Sequence, residues 1–297
     1  MPPPPALLGL TGHLVVALVA LVVIGGATRV MQAGLACPDW PLCYGGVLPI
    51  SQMNLQVFLE WFHRLDALVV LLALATLLGI SVWRRDQGPA WLPGAAALAL
   101  LLVLIQAGLG ALTVLHLLAA PIVVAHLLTA LLLLSWVSAI HQRLHPAEVP
   151  LPRWWALIAL VSGLAVLMQC LLGGLMASRW AAPLCLSSGL GCRWLLWHLQ
   201  GAWPATIGVL VLAISALRLP QGCRRPRRLA LTAALLVATQ VALGVLSLRG
   251  QLTMAGTTVA HQLVAALLVA VIGAIWGLSL PSPTPAVQAP LLEVVHG

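Results

Sequence analysis

Four histidines stand near the beginnings of four long apolar runs: His63, His126, His198 and His261. His63 and His126 are 63 positions apart, as are His198 and His261, and each member of the second pair follows its counterpart by 135. Ionisable groups inside hydrocarbon are costly, so each is a functional-site candidate. Imidazoles on facing helices, at one depth in a bundle, suit axial ligation of a haem iron, with the apolar interior taking the faces of the macrocycle. A single buried histidine is as well explained by a bond to a backbone carbonyl, but that reading leaves the doubled pattern without a cause. Zinc fits less well, because each half offers two imidazoles and no obvious tetrahedral set. His13, His116, His141, His145 and His296 lack repeat partners (Gly250 takes the place of His116) and are read as structural or solvated.

Two acidic residues share the helix of His63. Glu60 precedes it by three positions, which puts carboxylate and imidazole on one helix face, one turn apart. The matching place in the second half is Leu195. The first site therefore has an acid, base or electrostatic group beside its histidine and the second has none. A reactive first site and an electron-carrying second site follow from that asymmetry. Glu60 could instead cap its helix or pair with Arg64. Asp66, one turn further along, could accept the ring N–H of His63, as ligand imidazoles usually find an acceptor.

Cysteines also come in pairs, Cys37 with Cys43 and Cys185 with Cys192, each flanking a short loop. On an oxidising face these are disulfides, either as structural staples or as redox-active dithiols. Cys170 and Cys223 are read as inert. Arg29, Arg64, Arg193 and Arg249 fall at the same edge as the histidines and are candidate partners for haem propionates.

The elements that must position these groups are membrane helices. Of 297 residues, 62% are hydrophobic and 7% charged, and the mean hydropathy is +1.07. Soluble domains carry about a quarter charged residues. All fourteen basic residues are arginine, in short loops between apolar runs, where topology explains them better than a nucleic-acid partner. Eight runs are long enough to span: 8–28, 59–82, 91–115, 121–141, 154–177, 195–217, 229–248 and 257–280. Nine arginines fall in one set of loops and five in the other, which puts both termini in the cytoplasm and the four histidines toward the outer side. The N-terminus lacks a basic leader or an Arg-rich presequence, so the expected site is a bacterial inner membrane. The run Gln106–Val114 matches Gln240–Leu248, Val124–Ala130 matches Val259–Ala265, and Gly25-Gly26 matches Gly173-Gly174. The expected fold is all-α and integral to the membrane: two tandem four-helix bundles related by a pseudo-two-fold repeat. They occupy 1–145 and 146–280, with a flexible tail at 281–297.

The run from Gly25 to Cys43, with its Cys-Pro-Asp-Trp-Pro-Leu-Cys segment, and the Glu60-Trp-Phe-His-Arg64 motif resemble the haem A synthase family over essentially the whole chain to the end of the eighth run. The resemblance implies oxidation of a methyl group of haem O to a formyl group, through a hydroxymethyl stage, yielding haem A for terminal oxidases. It implies substrate haem between His63 and His126, haem b between His198 and His261, and Glu60 as the catalytic carboxylate. Either the iron loses a ligand and activates oxygen, or electrons are withdrawn and water adds to a cationic methyl carbon. Expected partners are the lipid bilayer, a membrane electron carrier and haem O synthase (protohaem farnesyltransferase), with no nucleic acid. The competing readings are a dihaem b-type cytochrome carrying electrons from quinol, a thiol oxidoreductase, and a transporter built from repeats.

Overall fold

The computed structural model describes residues 5–145, 150–178, 185, 187–188, 192–250 and 254–280. The tail, with His296, and Arg179 lie outside the described residues.

Leucine and alanine dominate the apolar runs, and both are good helix formers. In hydrocarbon a helix also satisfies every backbone N–H and C=O within its own segment. Among the described residues eight long helices result: α1 (Pro5–Val30), α2 (Leu55–Trp83), α3 (Leu92–Leu115), α4 (Ala120–Leu144), α5 (Arg153–Met176), α6 (Arg193–Ala216), α7 (Arg224–Arg249) and α8 (Ala255–Ser279). All eight are long and apolar enough to cross a membrane. The shortest have 24 residues, roughly 36 Å at the helical rise, against a hydrocarbon core of about 30 Å. They begin and end within a few residues of the expected spans.

Local chemistry sets the ends. Asn54 caps α2 by accepting the N–H of Val57 at 3.0 Å. Proline stands in the first turn of α3 and of α4, where its missing N–H costs nothing. Pro204 lies inside α6. Between α1 and α2 the long loop carries one 3₁₀ turn, Ile50–Gln52.

Helices α1 to α4 contact one another in a closed ring (α1–α2, α2–α3, α3–α4, α4–α1), and α5 to α8 form a second ring in the same order. The rings meet chiefly along α4 and α8, with α1–α8 and α4–α5 contacts beside them. Small residues allow the central approach. A Cβ on Gly273 would stand 2.5 Å from the Ser135 carbonyl oxygen, and one on Gly277 would collide with the Ala139 backbone. Two glycines four apart against Ser135 and Ala139 form the small-residue seam by which membrane helices pack closely. Larger apolar residues fill each ring; Leu14, Val70, Leu74, Ala96 and Leu134 lie fully buried in the first. Val209, Ala233 and Ile272 lie in the second.

Candidate functional site

The candidate residues gather at one end of the bundle, where α1, α3, α5 and α7 finish and α2, α4, α6 and α8 begin. Each of the four histidines packs on a glycine of the preceding helix. A Cβ on Gly25 would stand 2.8 Å from Cε1 of His63, and one on Gly110 would stand 3.3 Å from Cε1 of His126. In the second ring the distances are 2.9 Å from Gly173 to His198 and 3.1 Å from Gly244 to His261. Four glycines therefore leave room for four imidazole rings. The repeated Gly25-Gly26 and Gly173-Gly174, and the matched Gly110 and Gly244, carried that signal in the sequence, but only the packing shows what they face.

His63 and His126 face each other across the first ring, with ring centroids 6.5 Å apart and planes at 73°. Two metal–imidazole bonds of about 2.0–2.1 Å plus the ring radii bring centroids to that order of separation. His198 and His261 lie within electrostatic reach of each other in the second ring. Nδ1 of His63, of His126 and of His261 is buried without a hydrogen-bond partner. Among the described residues, no group of three or more His, Cys, Asp or Glu side chains could hold a metal ion. Paired imidazoles in glycine cradles, with ring nitrogens left over, fit haem iron, which takes its other ligands from the macrocycle.

Glu60 is almost fully buried, at 4% exposure, and both of its oxygens are engaged. Oε1 receives Arg64 Nη2 at 2.5 Å, and Oε2 receives the backbone N–H of Cys37 at 2.8 Å. Helix-end pairing with Arg64, the plainer expectation, is thus present, and it ties the carboxylate to the cysteine loop. Arg64 also donates to the carbonyls of Asp39 and Leu42, at 2.7 and 2.5 Å. Trp61 Nε1 donates to the Val47 carbonyl at 2.7 Å. The segment 37–47, which holds the Cys37–Cys43 disulfide, is therefore clamped onto the head of α2 by Glu60, Trp61 and Arg64. Within it, Asp39 accepts the N–H groups of Tyr44 and Gly45 at 2.6 and 2.8 Å. The Gly45 N–H holds the Asp39 pKa below its ordinary value, helped by Tyr44 and by the nearby Arg64 charge.

Other expectations fare differently. Asp66 does not bond His63: Asp66 Oδ2 and His63 Nδ1 are both buried and neither has a partner. Arg64 is committed to the loop. Arg29 donates to the Ala177 carbonyl at 2.5 Å, joining the end of α1 to the end of α5 across the two rings. Arg193 and Arg249 are exposed at helix ends. Cys185 and Cys192 are joined, and with Leu195 and Met176 they make a small apolar cluster. His141, read as structural, does bond within the bundle, to Thr11 at 2.9 Å.

Comparison with known proteins bears on this arrangement. Residues 10–272 match the family COX15-CtaA, described as cytochrome oxidase assembly protein. The chain belongs to that family. A protein of Shewanella oneidensis named heme A synthase is 30% identical over 189 residues, covering 56% of this chain and 55% of that protein. The chain thus spans about half the length of that curated relative. An Erythrobacter litoralis heme A synthase is 26% identical, with 84% and 90% covered. A third of that name, from a Chelativorans species, is 31% identical over 136 residues, 42% of this chain and 37% of that protein. COX15-CtaA membership covers all eight helices at least in part, and so includes both histidine pairs and the clamped loop.

Proposed function

We propose that this protein is a haem A synthase, an oxidoreductase that converts the methyl group of haem O to a formyl group through a hydroxymethyl stage. The observation that carries the reading is the doubled histidine pair in glycine cradles, with a buried, doubly bonded carboxylate beside one pair only. The names of the relatives support it. A dihaem cytochrome would account for the histidines and leave Glu60 and the clamped loop without a task.

His63 and His126 hold the substrate, haem O, by its iron. His198 and His261 hold haem b, which when bound supplies a store for one electron at a time. The glycine cradles orient the four rings. Glu60 is fixed by charge-assisted bonds, yet each oxygen keeps a spare lone pair. It either stabilises positive charge developing at the methyl carbon or takes a proton from the water that adds there. Arg64 and the Cys37 N–H hold it at the mouth of the first site. The cysteine loop seals that mouth, and Cys37–Cys43 serves as staple or electron relay. Arg29, Arg193 and Arg249 remain the cationic partners for propionates.

The two rings are read as tandem bundles, 1–145 and 146–280, related by a pseudo-two-fold axis. Both termini face the cytoplasm of a bacterium, and the histidine end faces the outer side of the inner membrane. Haem O synthase hands over the substrate, and a membrane electron carrier removes the electrons. The test is pigment extraction with mass analysis of purified protein supplied with haem O. Wild type should yield haem b and haem A; Glu60→Ala should yield haem b without haem A; His198→Ala should lose haem b. Haem b alone in wild type would turn the assignment to an electron-transfer cytochrome.

A further inference from the structure

The loop between α1 and α2 lacks charge where a water-facing loop carries it. Between Arg29 and Glu60 the one charged side chain is Asp39, and its carboxylate is engaged by the N–H groups of Tyr44 and Gly45. The other polar side chains, Ser51, Gln52 and Asn54 among them, are uncharged. Large apolar side chains stand outward: Val47 is 76% exposed and Ile50 75%, with Leu48 and Met53 exposed beside them. The chain's one tyrosine, Tyr44, and both of its phenylalanines, Phe58 and Phe62, lie in this loop or in the first two turns of α2. Phe58 stacks on Phe62 with centroids 5.5 Å apart, and the Trp61 ring lies 6.2 and 6.4 Å from them.

Helix α2 shows which surroundings suit that face. Leu55, Phe58, Phe62, Leu65, Val69 and Leu72 follow one another at spacings of three and four, and all are exposed. Such spacing makes a single stripe along a helix. Within a membrane span an exposed apolar stripe meets lipid, and this one runs without a polar break to Leu55, where the loop joins it. Helix α2 has 29 residues, roughly 43 Å at the helical rise, against a hydrocarbon core of about 30 Å. The excess carries its ends into the headgroup layers, where aromatic side chains collect. Trp61 Nε1, bonded to the Val47 carbonyl at 2.7 Å, holds the loop at that level. In the second half the place of Phe62 is taken by Trp197, also exposed, so each half carries an aromatic ring just before its first histidine.

We propose that the α1–α2 loop is an interfacial segment, its apolar face set into the lipid at the histidine end of the bundle. The cover of the first site is then immersed in the bilayer and not in water. An uncharged, aromatic-rich face continuous with a lipid-facing stripe fits acyl chains and headgroups, and leaving it in water is costly. On the reading that the first site takes haem O, the same placement delivers that substrate to the first site through lipid.

The test is site-directed spin labelling of the purified protein in phospholipid nanodiscs. Nitroxides on Leu48→Cys and Ile50→Cys are compared for relaxation by oxygen, which concentrates in lipid, and by a charged nickel chelate, which stays in water. Val69→Cys supplies the lipid reference, and Arg85→Cys, exposed just beyond the far end of α2, supplies the water reference. Wild type treated alike gives the background of Cys170 and Cys223. Oxygen-to-nickel ratios nearer that of Val69→Cys are expected. Ratios nearer that of Arg85→Cys overturn the proposal, and labels that neither agent reaches overturn it in favour of a contact between two copies of the chain. The delivery route is read separately. Leu48→Asp/Ile50→Asp should slow haem A formation when haem O is supplied in vesicles and leave it unchanged when haem O is supplied in detergent micelles. Equal slowing in both, or none in vesicles, overturns delivery through lipid. Wild type that forms no haem A in either assay overturns the enzymatic reading and the route with it, and the label ratios decide the immersion independently of that outcome.

Discussion

The two histidine pairs sit in similar cradles beneath different lids. At the head of α2, Glu60 and Arg64 bind N–H and carbonyl groups of the Cys37–Cys43 loop and Trp61 binds the Val47 carbonyl just beyond it, a polar clamp. At the head of α6, the position matching Glu60 is Leu195, buried against Cys185 and Cys192 in an apolar cluster. A polar lid fixes a carboxylate beside one histidine; the described residues of the second lid bring together Cys185, Cys192 and Leu195, all apolar. Similar cradles with unequal lids are what the proposed division between substrate and cofactor sites requires, since chemistry needs a placed charge and electron storage does not.

Replacing the placed charge is the sharpest way to break this comparison. Glu60→Gln should lower haem A formation by about 100-fold or more, the usual worth of a positioned acid–base or electrostatic group. Haem b content should stay at the wild-type level. Turnover near wild type, read by pigment analysis after a timed incubation with haem O, would remove the distinction between the halves. The reciprocal Leu195→Glu should gain no activity, because Leu199 stands where the first half has Arg64.

Cradle substitutions come next, and they sort the halves by which haem is lost. Gly25→Ala and Gly173→Ala each push a methyl group to within 3 Å of an imidazole, an overpacking cost of about 1–3 kcal/mol. Gly25→Ala should weaken retention of haem O or haem A and spare haem b, and Gly173→Ala should do the reverse. Equal loss of both pigments from either variant would mean that the rings do not bind independently.

Opening the loops should have a smaller effect on assembly but an unequal one. Cys37→Ser/Cys43→Ser should lower thermal stability by about 2–4 kcal/mol or less, and it should also lower turnover because the Cys37 N–H orients Glu60. Cys185→Ser/Cys192→Ser should lower stability alone. Equal turnover in the two variants, compared at matched haem content, would argue against a coupling between the first loop and the carboxylate.

Acid should loosen the first lid only slightly. The Asp39 pKa is depressed in the folded protein, first by the Gly45 N–H. Its contribution is therefore complete above the ordinary carboxylate value of 3.8 and is lost as pH falls below it. Thermal unfolding between pH 3 and pH 7 should show a small acid-side loss, and Asp39→Asn should flatten it. A larger loss in the variant would contradict the sign.

Much of the fold was readable because membrane helices announce themselves by composition, each segment satisfying its own backbone. The eight spans, the histidine spacing and the Glu60–Leu195 contrast are all properties of position along the chain. The Gln-x-x-x-Gly pattern was equally present in three helices, but without the rings packed beside it there was no reason to read it as a cradle. Asp66 shows the opposite error. One turn of separation allowed a bond to His63, and side-chain direction in the folded helix did not make it.

By itself the sequence determined which segments enter the membrane, which residues could ligate iron, and which half carries a carboxylate at the histidine end. These follow from hydropathy, helical periodicity and residue chemistry, all of them local. Tertiary structure decided that the rings rest on glycines of neighbouring helices, that Glu60 takes the N–H of Cys37, and that Arg64 holds the loop and not an open edge. Those contacts join groups about sixteen or more residues apart, and backbone donors carry no residue-type signal. Only close packing of the helices brings them within hydrogen-bond reach.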